Sequence, residues 1–312
     1  MTGRLRRLTE ELDEIDPTIL AVATSAPALV GELSYALRPP VHERRVPSFG
    51  AIVEPLSSLD SWGEVAGFGV GSRRVEDLRD ATVRRFADGI TSWVVRTDDG
   101  INDLVVFDRS VGSERDLTVL ADATGAALVQ RHPNGTVRAV GAFGVLRFDG
   151  IEWHLEPPVK RWLDLTSCPL GSLDRRVFDH LLRFAVHDVA ARGVGALFVV
   201  STGGRLLPSA ERRYGTPPEF SIERPADLAP LYHVLGQLDG ASVFDERGIL
   251  RQLGVRLVPS STAERSVDAY RGTRHTSALR YSFDDREATV IVVSEDGPVS
   301  VLRGGERLGS SA

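Results

Sequence analysis

The sequence predicts a mixed α/β protein: a C-terminal domain with a central mixed sheet flanked by helices, preceded by a strand-rich α/β domain. Three observations carry that prediction. A chain of 312 residues is long enough for two domains at roughly 100–200 residues each. The first half alternates short apolar runs with Asp-Gly and Asn-Gly turns, the pattern of hairpins. The second half alternates helical periodicity with short continuous apolar runs, the pattern of buried strands between helices. The proline pair Pro157-Pro158 separates the halves, so domains are expected at 1–160 and 161–312.

In chain order, residues 18–37 are apolar on average, but Pro27, Gly31 and Glu32 interrupt them. They read as helix plus connector, since a membrane span needs roughly 18 or more clean apolar residues. A short helix is expected over 77–87 and a strand containing Trp93 over 90–95. Asp99-Gly100 turns that strand into the run 104–107. Pro133-Asn134-Gly135 and Asp149-Gly150 separate the runs 126–129, 137–145 and 151–155. In the second half Val177, Leu181, Phe184, Ala185 and Val189 recur at helical spacing, which predicts an amphipathic helix over 173–192 that Gly193 and Gly195 stop. The run 196–200 is of buried-strand type, and 202–225 reads as a long loop. A helix at 226–237 follows, then strands at 241–244, 249–257, 289–293 and 299–302, with helices near 262–270 and from Thr276.

Composition narrows the chemistry. A net charge of -6 argues against a broad electrostatic grip on nucleic acid. Cys168 is the single cysteine, which excludes an intramolecular disulfide, a thiolate zinc cluster and a CxxC site, and fits a reducing cytoplasm; it reads as core filler. Lys160 is the single lysine, so no GK[ST] phosphate loop exists, and any phosphate must be held by arginine and backbone N–H groups. The acidic residues Glu10, Glu11, Asp13, Glu14 and Asp16 stand where a signal peptide needs its apolar region. Gly67-Phe68-Gly69-Val70-Gly71 lacks the GxGxxG spacing and reads as a loop, and His180 and His187 lack a third metal ligand.

Three segments of the second half carry chemistry. In Leu238-Asp239-Gly240-Ala241 a carboxylate suited to a hard cation precedes two residues that let a ligand approach the backbone, although Asp-Gly is also an ordinary turn. In Gly272-Thr273-Arg274-His275-Thr276-Ser277 hydroxyls, a guanidinium and free N–H groups at a helix start suit phosphate; an N-cap alone would explain the hydroxyls but not Arg274 and His275. Val292-Val293-Ser294-Glu295 is by itself a strand ending in a turn.

With Gly195-Ala196-Leu197-Phe198-Val199-Val200 upstream, the order of these segments resembles the diadenylate cyclase (DAC) domain over residues 172–308, whose GALIV-like strand, DGA, RHR or RHT, and VSEE-like motifs follow one another in this way. The resemblance implies a homo-oligomeric enzyme that condenses two ATP into cyclic di-AMP across facing domains, with Mg or Mn as divalent cation. It implies that Asp239 is the metal- and ribose-side carboxylate, that Arg274, His275 and Thr276, beside Thr273, lie at the phosphates, and that Ser294 and Glu295 complete the phosphate and metal side. Gly240 and Ala241 would line the nucleotide, with residues 257–259, Leu257 first, near the adenine. Leu238 stands where many members carry His, and Thr276 where many carry a second Arg; the alternative reading is a non-catalytic sensor of ATP or cyclic di-AMP. The domain in front would regulate or sense.

Spacing suggests that the first half is a degenerate copy of the second. Val119-Leu120 and Gly125-Ala126 match Val234-Leu235 and Gly240-Ala241 in separation, which puts Thr124 at the place of Asp239.

Overall fold

The computed structural model describes residues 3–41, 43–66, 69–75, 78–159, 174–270, 272–295 and 298–311. Lys160, Cys168, Asp77, Gly67, Phe68 and Leu173 lie outside the described residues. The chain forms two compact units, Met1–Pro158 and Val159–Ala312. No helix among the described residues is long and apolar enough to cross a membrane.

The first unit contains helices α1 (Gly3–Ile15), α2 (Thr18–Ala21) and α3 (Ala26–Leu37), then strand β1 (Phe49–Val53), α4 (Leu59–Ala66), β2 (Val70–Arg74), α5 (Asp80–Val83), β3 (Ser92–Thr97), β4 (Gly100–Phe107), α6 (Glu114–Thr124), β5 (Ala127–Arg131), β6 (Val137–Gly141), β7 (Gly144–Phe148) and β8 (Trp153–Glu156). The sheet order is β2-β4-β3-β1-β5-β6-β7-β8, with β1 and β3 parallel and the other neighbours antiparallel. Because side chains alternate along a strand, Ala51, Val53, Val94 and Val129 pack against Leu12, Leu29 and Leu33 on one face. Ile52, Val95 and Leu128 pack with Trp62, Leu117 and Leu120 on the other.

The second unit contains α7 (Arg175–Arg183), β9 (Ala196–Val200), α8 (Pro225–Leu235), β10 (Ala241–Phe244), β11 (Leu250–Val255), α9 (Ser261–Ser266), α10 (Thr273–Asp284), β12 (Thr289–Val293), β13 (Val299–Arg303) and β14 (Glu306–Ser310). Its order is β11-β10-β9-β12-β13-β14, with only β9 and β10 parallel. β9 is buried along its whole length. Its Ala196, Phe198 and Val200 meet Phe178, Leu181 and Phe184, while Leu197 and Val199 meet Val243, Ala278 and Tyr281.

The sequence pattern needs three corrections. The run 137–145 is not one strand but a hairpin of β6 and β7: Gly141 pairs with Gly144 across the two-residue turn Ala142-Phe143, and Gly144 enters β7 at φ +109°, which glycine adopts without strain. The helix expected over 173–192 is α-helical only to Arg183 and continues as a π turn over Phe184–Val189 and a 3-10 turn over Ala190–Arg192. All six π-turn residues are buried, so that segment shows no solvent face. Val70 and Gly71, expected in a loop, open β2.

The two sheets share a frame. Dropping β2 and β8 from the first leaves β4-β3-β1-β5-β6-β7, which has the chain order and strand directions of β11-β10-β9-β12-β13-β14. This supports the internal copy but overturns its expected register. The strand after Thr124 is β5, which occupies the place of β12, whereas the place of β10 belongs to β3. Ala51 pairs with Val129 and Val94 as Phe198 pairs with Ile291 and Ser242. Counting back three residues from Val94 and Ser242, Thr91 takes the place of Asp239.

Phe198 stacks on Phe184 at 5.9 Å and meets Phe244 edge-on at 5.7 Å. Phe198→Ala is expected to destabilise the second unit by about 3–5 kcal/mol. Urea denaturation with amide exchange read at β9 and β12 checks this, and the amides of β1 and β5 should be unaffected.

Candidate functional site

The Asp-Gly-Ala segment makes the turn into β10. Gly240 sits at φ +103°, and a Cβ there would strike the backbone of Gly254 and Val255, so glycine lets the turn close on the end of β11. Asp239 is left exposed at the rim, whereas Ala241 is fully buried between Leu197 and Val255. Gly254, at φ +60°, leaves room for the ring of Tyr214 beside it. That contact and the paired backbone hydrogen bonds of Glu211 and Arg256, each 3.0 Å, tie the long loop to β11.

Opposite stands the start of α10. Its N-cap is Gly272 at φ +98°, and no side chain caps the helix, so the first-turn N–H groups and the positive end of the helix dipole stay available. The Thr276 hydroxyl accepts from the Tyr270 N–H at 3.0 Å and lies 3.0 and 2.9 Å from the Tyr270 and Gly272 carbonyls, to which it donates. It therefore holds the turn in front of the helix. Arg274 lies over Gly195, where any Cβ would collide with the guanidinium, and reaches Glu295 at 3.7 Å. His275 is 7% exposed, with its ring edge-on to Tyr270 at 6.0 Å.

These elements enclose a cleft of about 940 Å³. Of the residues singled out by sequence, Asp239, Gly240, Leu257, Thr273, Arg274 and Thr276 line it, together with Val258 and Pro259. Ala241, His275, Ser294 and Glu295 do not line it: Ala241 and His275 are turned into the protein, and Ser294 donates its N–H to the Pro298 carbonyl.

Sequence reasoning missed several lining residues, among them Arg213, Arg256, Glu264, Tyr270 and Arg280. Arg213 makes no ion pair or hydrogen bond among the described residues. Arg280 donates to the carbonyls of Val267 at 3.1 Å and Glu264 at 3.4 Å, which fastens α9 to α10, and Tyr270 forms part of the wall. The one available signal was a pair of arginines beside an aromatic, Arg212-Arg213-Tyr214, in a loop too long to be a mere connector. Tyr281 also escaped notice; its hydroxyl accepts from the Leu207 N–H and donates to Asp285, both at 3.3 Å, and burial pushes its pKa well up, so it stays protonated while anchoring that loop.

The lining carries two exposed carboxylates, Asp239 at the turn into β10 and Glu264 on α9; Asp239 is suited to a magnesium-type ion whose remaining ligands are phosphate oxygens and water. Among the described residues the one group of three metal-ligating side chains is Asp149, Glu152 and His154, exposed on the β7–β8 turn of the other unit. There the Glu152 and Ile151 N–H groups and His154 already hold Asp149, drawing its pKa down to about 2.

The first unit offers a control. In it α6 packs on β5 and β6 as α10 packs on β12 and β13. Yet Ser113 caps α6 by accepting from the Asp116 N–H, and the buried Glu114 is chelated by Arg147 at 2.6 and 2.5 Å. That helix start is filled by its own side chains.

Comparison with known proteins agrees with this division. Residues 183–307 match the family described as DisA bacterial checkpoint controller nucleotide-binding, DAC, and residues 6–156 match the probable sensor domain DACNK. The chain joins a DACNK domain to a DAC domain. The DAC domain holds the 940 Å³ cleft and is of a nucleotide-binding family. No curated protein matches the chain. A solved structure titled as a hypothetical membrane spanning protein from Bacillus cereus is 22% identical over 43% of this chain and 69% of its own, with a TM-score of 0.32, too low to carry an argument.

Thr276→Val keeps the side-chain volume and removes the hydroxyl. Amide exchange at Tyr270 should accelerate, and the DAC domain should lose about 1–3 kcal/mol, because a part-buried N–H is left without its acceptor. An unchanged Tyr270 exchange rate in the folded variant would show that the hydroxyl does not hold the turn.

Proposed function

We propose that the DAC domain is a diadenylate cyclase that condenses two ATP into cyclic di-AMP and two pyrophosphates. One observation carries the reading: an open cleft has the Asp239 carboxylate on one wall and, on the other, an uncapped helix start that bears Arg274. The reaction requires the 3′-oxygen of one ATP to attack the α-phosphorus of another. A P–O bond forms, the bond to pyrophosphate breaks, the 3′ proton is lost, and the step is repeated with the roles exchanged. No covalent nucleophile is required.

Each residue has a role in this scheme. The N–H groups of α10 and the Arg274 guanidinium bind the phosphates, where charge builds up as pyrophosphate leaves. Arg274 is held over Gly195 and shares Glu295, so part of its orientation is set before substrate arrives. Asp239 would hold a Mg or Mn ion at the phosphates; such an ion supplies neutralisation of developing charge. Leu257, 6% exposed and apolar, with Val258 and Pro259, gives the base a flat wall. His275 acts as a positioning residue through Tyr270. One cleft takes one ATP, so a second copy of the chain must face it, and the DACNK domain would regulate that assembly.

Incubation of the protein with ATP and Mg or Mn, with mass-spectrometric detection of cyclic di-AMP, tests the proposal. The rate per chain should fall on dilution as facing pairs separate. ATP binding without product at every protein concentration would sink it and leave a nucleotide sensor. Arg274→Ala should weaken ATP binding about tenfold or more, for a contact of about 1.5–3 kcal/mol. Asp239→Asn should abolish product while the folded variant still binds nucleotide; full activity in that variant would remove Asp239 from the chemistry.

A further inference from the structure

The DACNK domain has a cleft of its own, of about 530 Å³, lined by the end of α3, the segment that follows it and the 3-10 turn Arg84–Phe86 after α5. That volume is within the range of small-molecule sites, roughly 300–1,000 Å³.

Its charges are of two kinds. Arg84 is committed to the fold. Its guanidinium chelates Glu32, a carboxylate 1% exposed, at 2.9 and 2.6 Å and covers the Tyr35 ring at 4.9 Å. Arg45 and Arg85 are exposed and make no ion pair or hydrogen bond among the described residues. Arg85 lines the cleft together with Tyr35 and Arg45. With Glu32 cancelling Arg84 and Glu43 set against one of the other two, the cleft keeps an excess positive charge.

The apolar lining is as unusual as the charge. Val41 and Val46 are 61% and 50% exposed, yet both face this cleft. Glu43 and Arg44 between them sit at φ +47° and +64°, left-handed conformations that L side chains keep only where the surroundings hold them. Two uncommitted guanidiniums beside two bare valines match neither a simple inorganic anion, which has no use for the valines, nor a neutral hydrocarbon, which has none for the arginines.

We infer that this cleft is a binding site for a small organic anion with an apolar body, in which Arg45 and Arg85 meet the carboxylate, sulfonate or phosphate and Val41 and Val46 cover the hydrocarbon. Such a ligand is the chemical input of the DACNK domain. The inference does not depend on the chemistry proposed for the DAC domain.

The test uses the full chain and 8-anilinonaphthalene-1-sulfonate, an anion with an apolar body whose fluorescence reports its own burial. Saturable binding of one equivalent, weakened at least tenfold by the double variant Arg45→Gln/Arg85→Gln and likewise by Val46→Asp, is expected. Arg213→Gln, in the DAC cleft, should leave it unchanged. Hexanoate should displace the probe at concentrations where acetate and hexanol do not. Perturbation of the Val41 and Val46 methyl resonances on probe addition locates the site in the unmodified protein. The inference is overturned by the absence of binding, by binding that survives both variants, by loss in Arg213→Gln instead, or by acetate competing as well as hexanoate. Binding that emerges only on dilution would mean that a second copy covers the cleft, and would overturn it too.

Discussion

The DAC cleft depends on one steric constraint, that nothing larger than hydrogen can stand at residue 240. With Gly240 against the backbone of Gly254 and Val255, the turn before β10 folds onto the end of β11 and leaves the Asp239 side chain at the rim. The same close approach sets Gly254 beside Tyr214, which brings the long loop and Arg213 to the opening. A second glycine works in the same way across the cleft, since only the bare backbone of Gly195 lets the Arg274 guanidinium lie as low as it does.

One frame serves two purposes in this chain. Both units wrap helices around a sheet with a single parallel pair at its centre, and both place a helix before the strand that joins that pair on the antiparallel side. The difference is how the helix start is finished. In the DACNK domain a serine and a chelated glutamate satisfy it from within, whereas in the DAC domain a glycine leaves it bare. Unmet N–H groups beside arginine attract anions, and a capped start does not. The DACNK domain instead keeps uncommitted arginines at a cleft beside the end of α3.

Much of the DAC domain was legible because its signals are local. The runs 196–200, 241–244 and 289–293 are bounded by glycine or polar turns and match β9, β10 and β12 residue for residue. Helix α1, with its charged sequence, and strand β1, whose Phe-Gly-Ala-Ile-Val run lacks flanking turn signals, were not read. The internal copy was legible as an idea but misaligned, because the spacing of Val-Leu and Gly-Ala pairs says nothing about which neighbour a strand will pair with.

By itself the sequence determined the chemistry available: arginine in place of lysine, one cysteine, and a carboxylate and an Arg-His pair in glycine-bounded turns. It also determined strands β9, β10 and β12 of the DAC sheet, since burial on both faces demands continuous apolar runs. Only the tertiary structure decided which of those groups share a cleft. His275 and Ala241 lie beside lining residues in sequence but turn inward, and Arg213 reaches the opening from a loop that carries no periodic signal. The physical reason is that a side chain's direction follows from backbone dihedrals and from the packing of residues distant in sequence, and neither is written in the spacing of nearby residues.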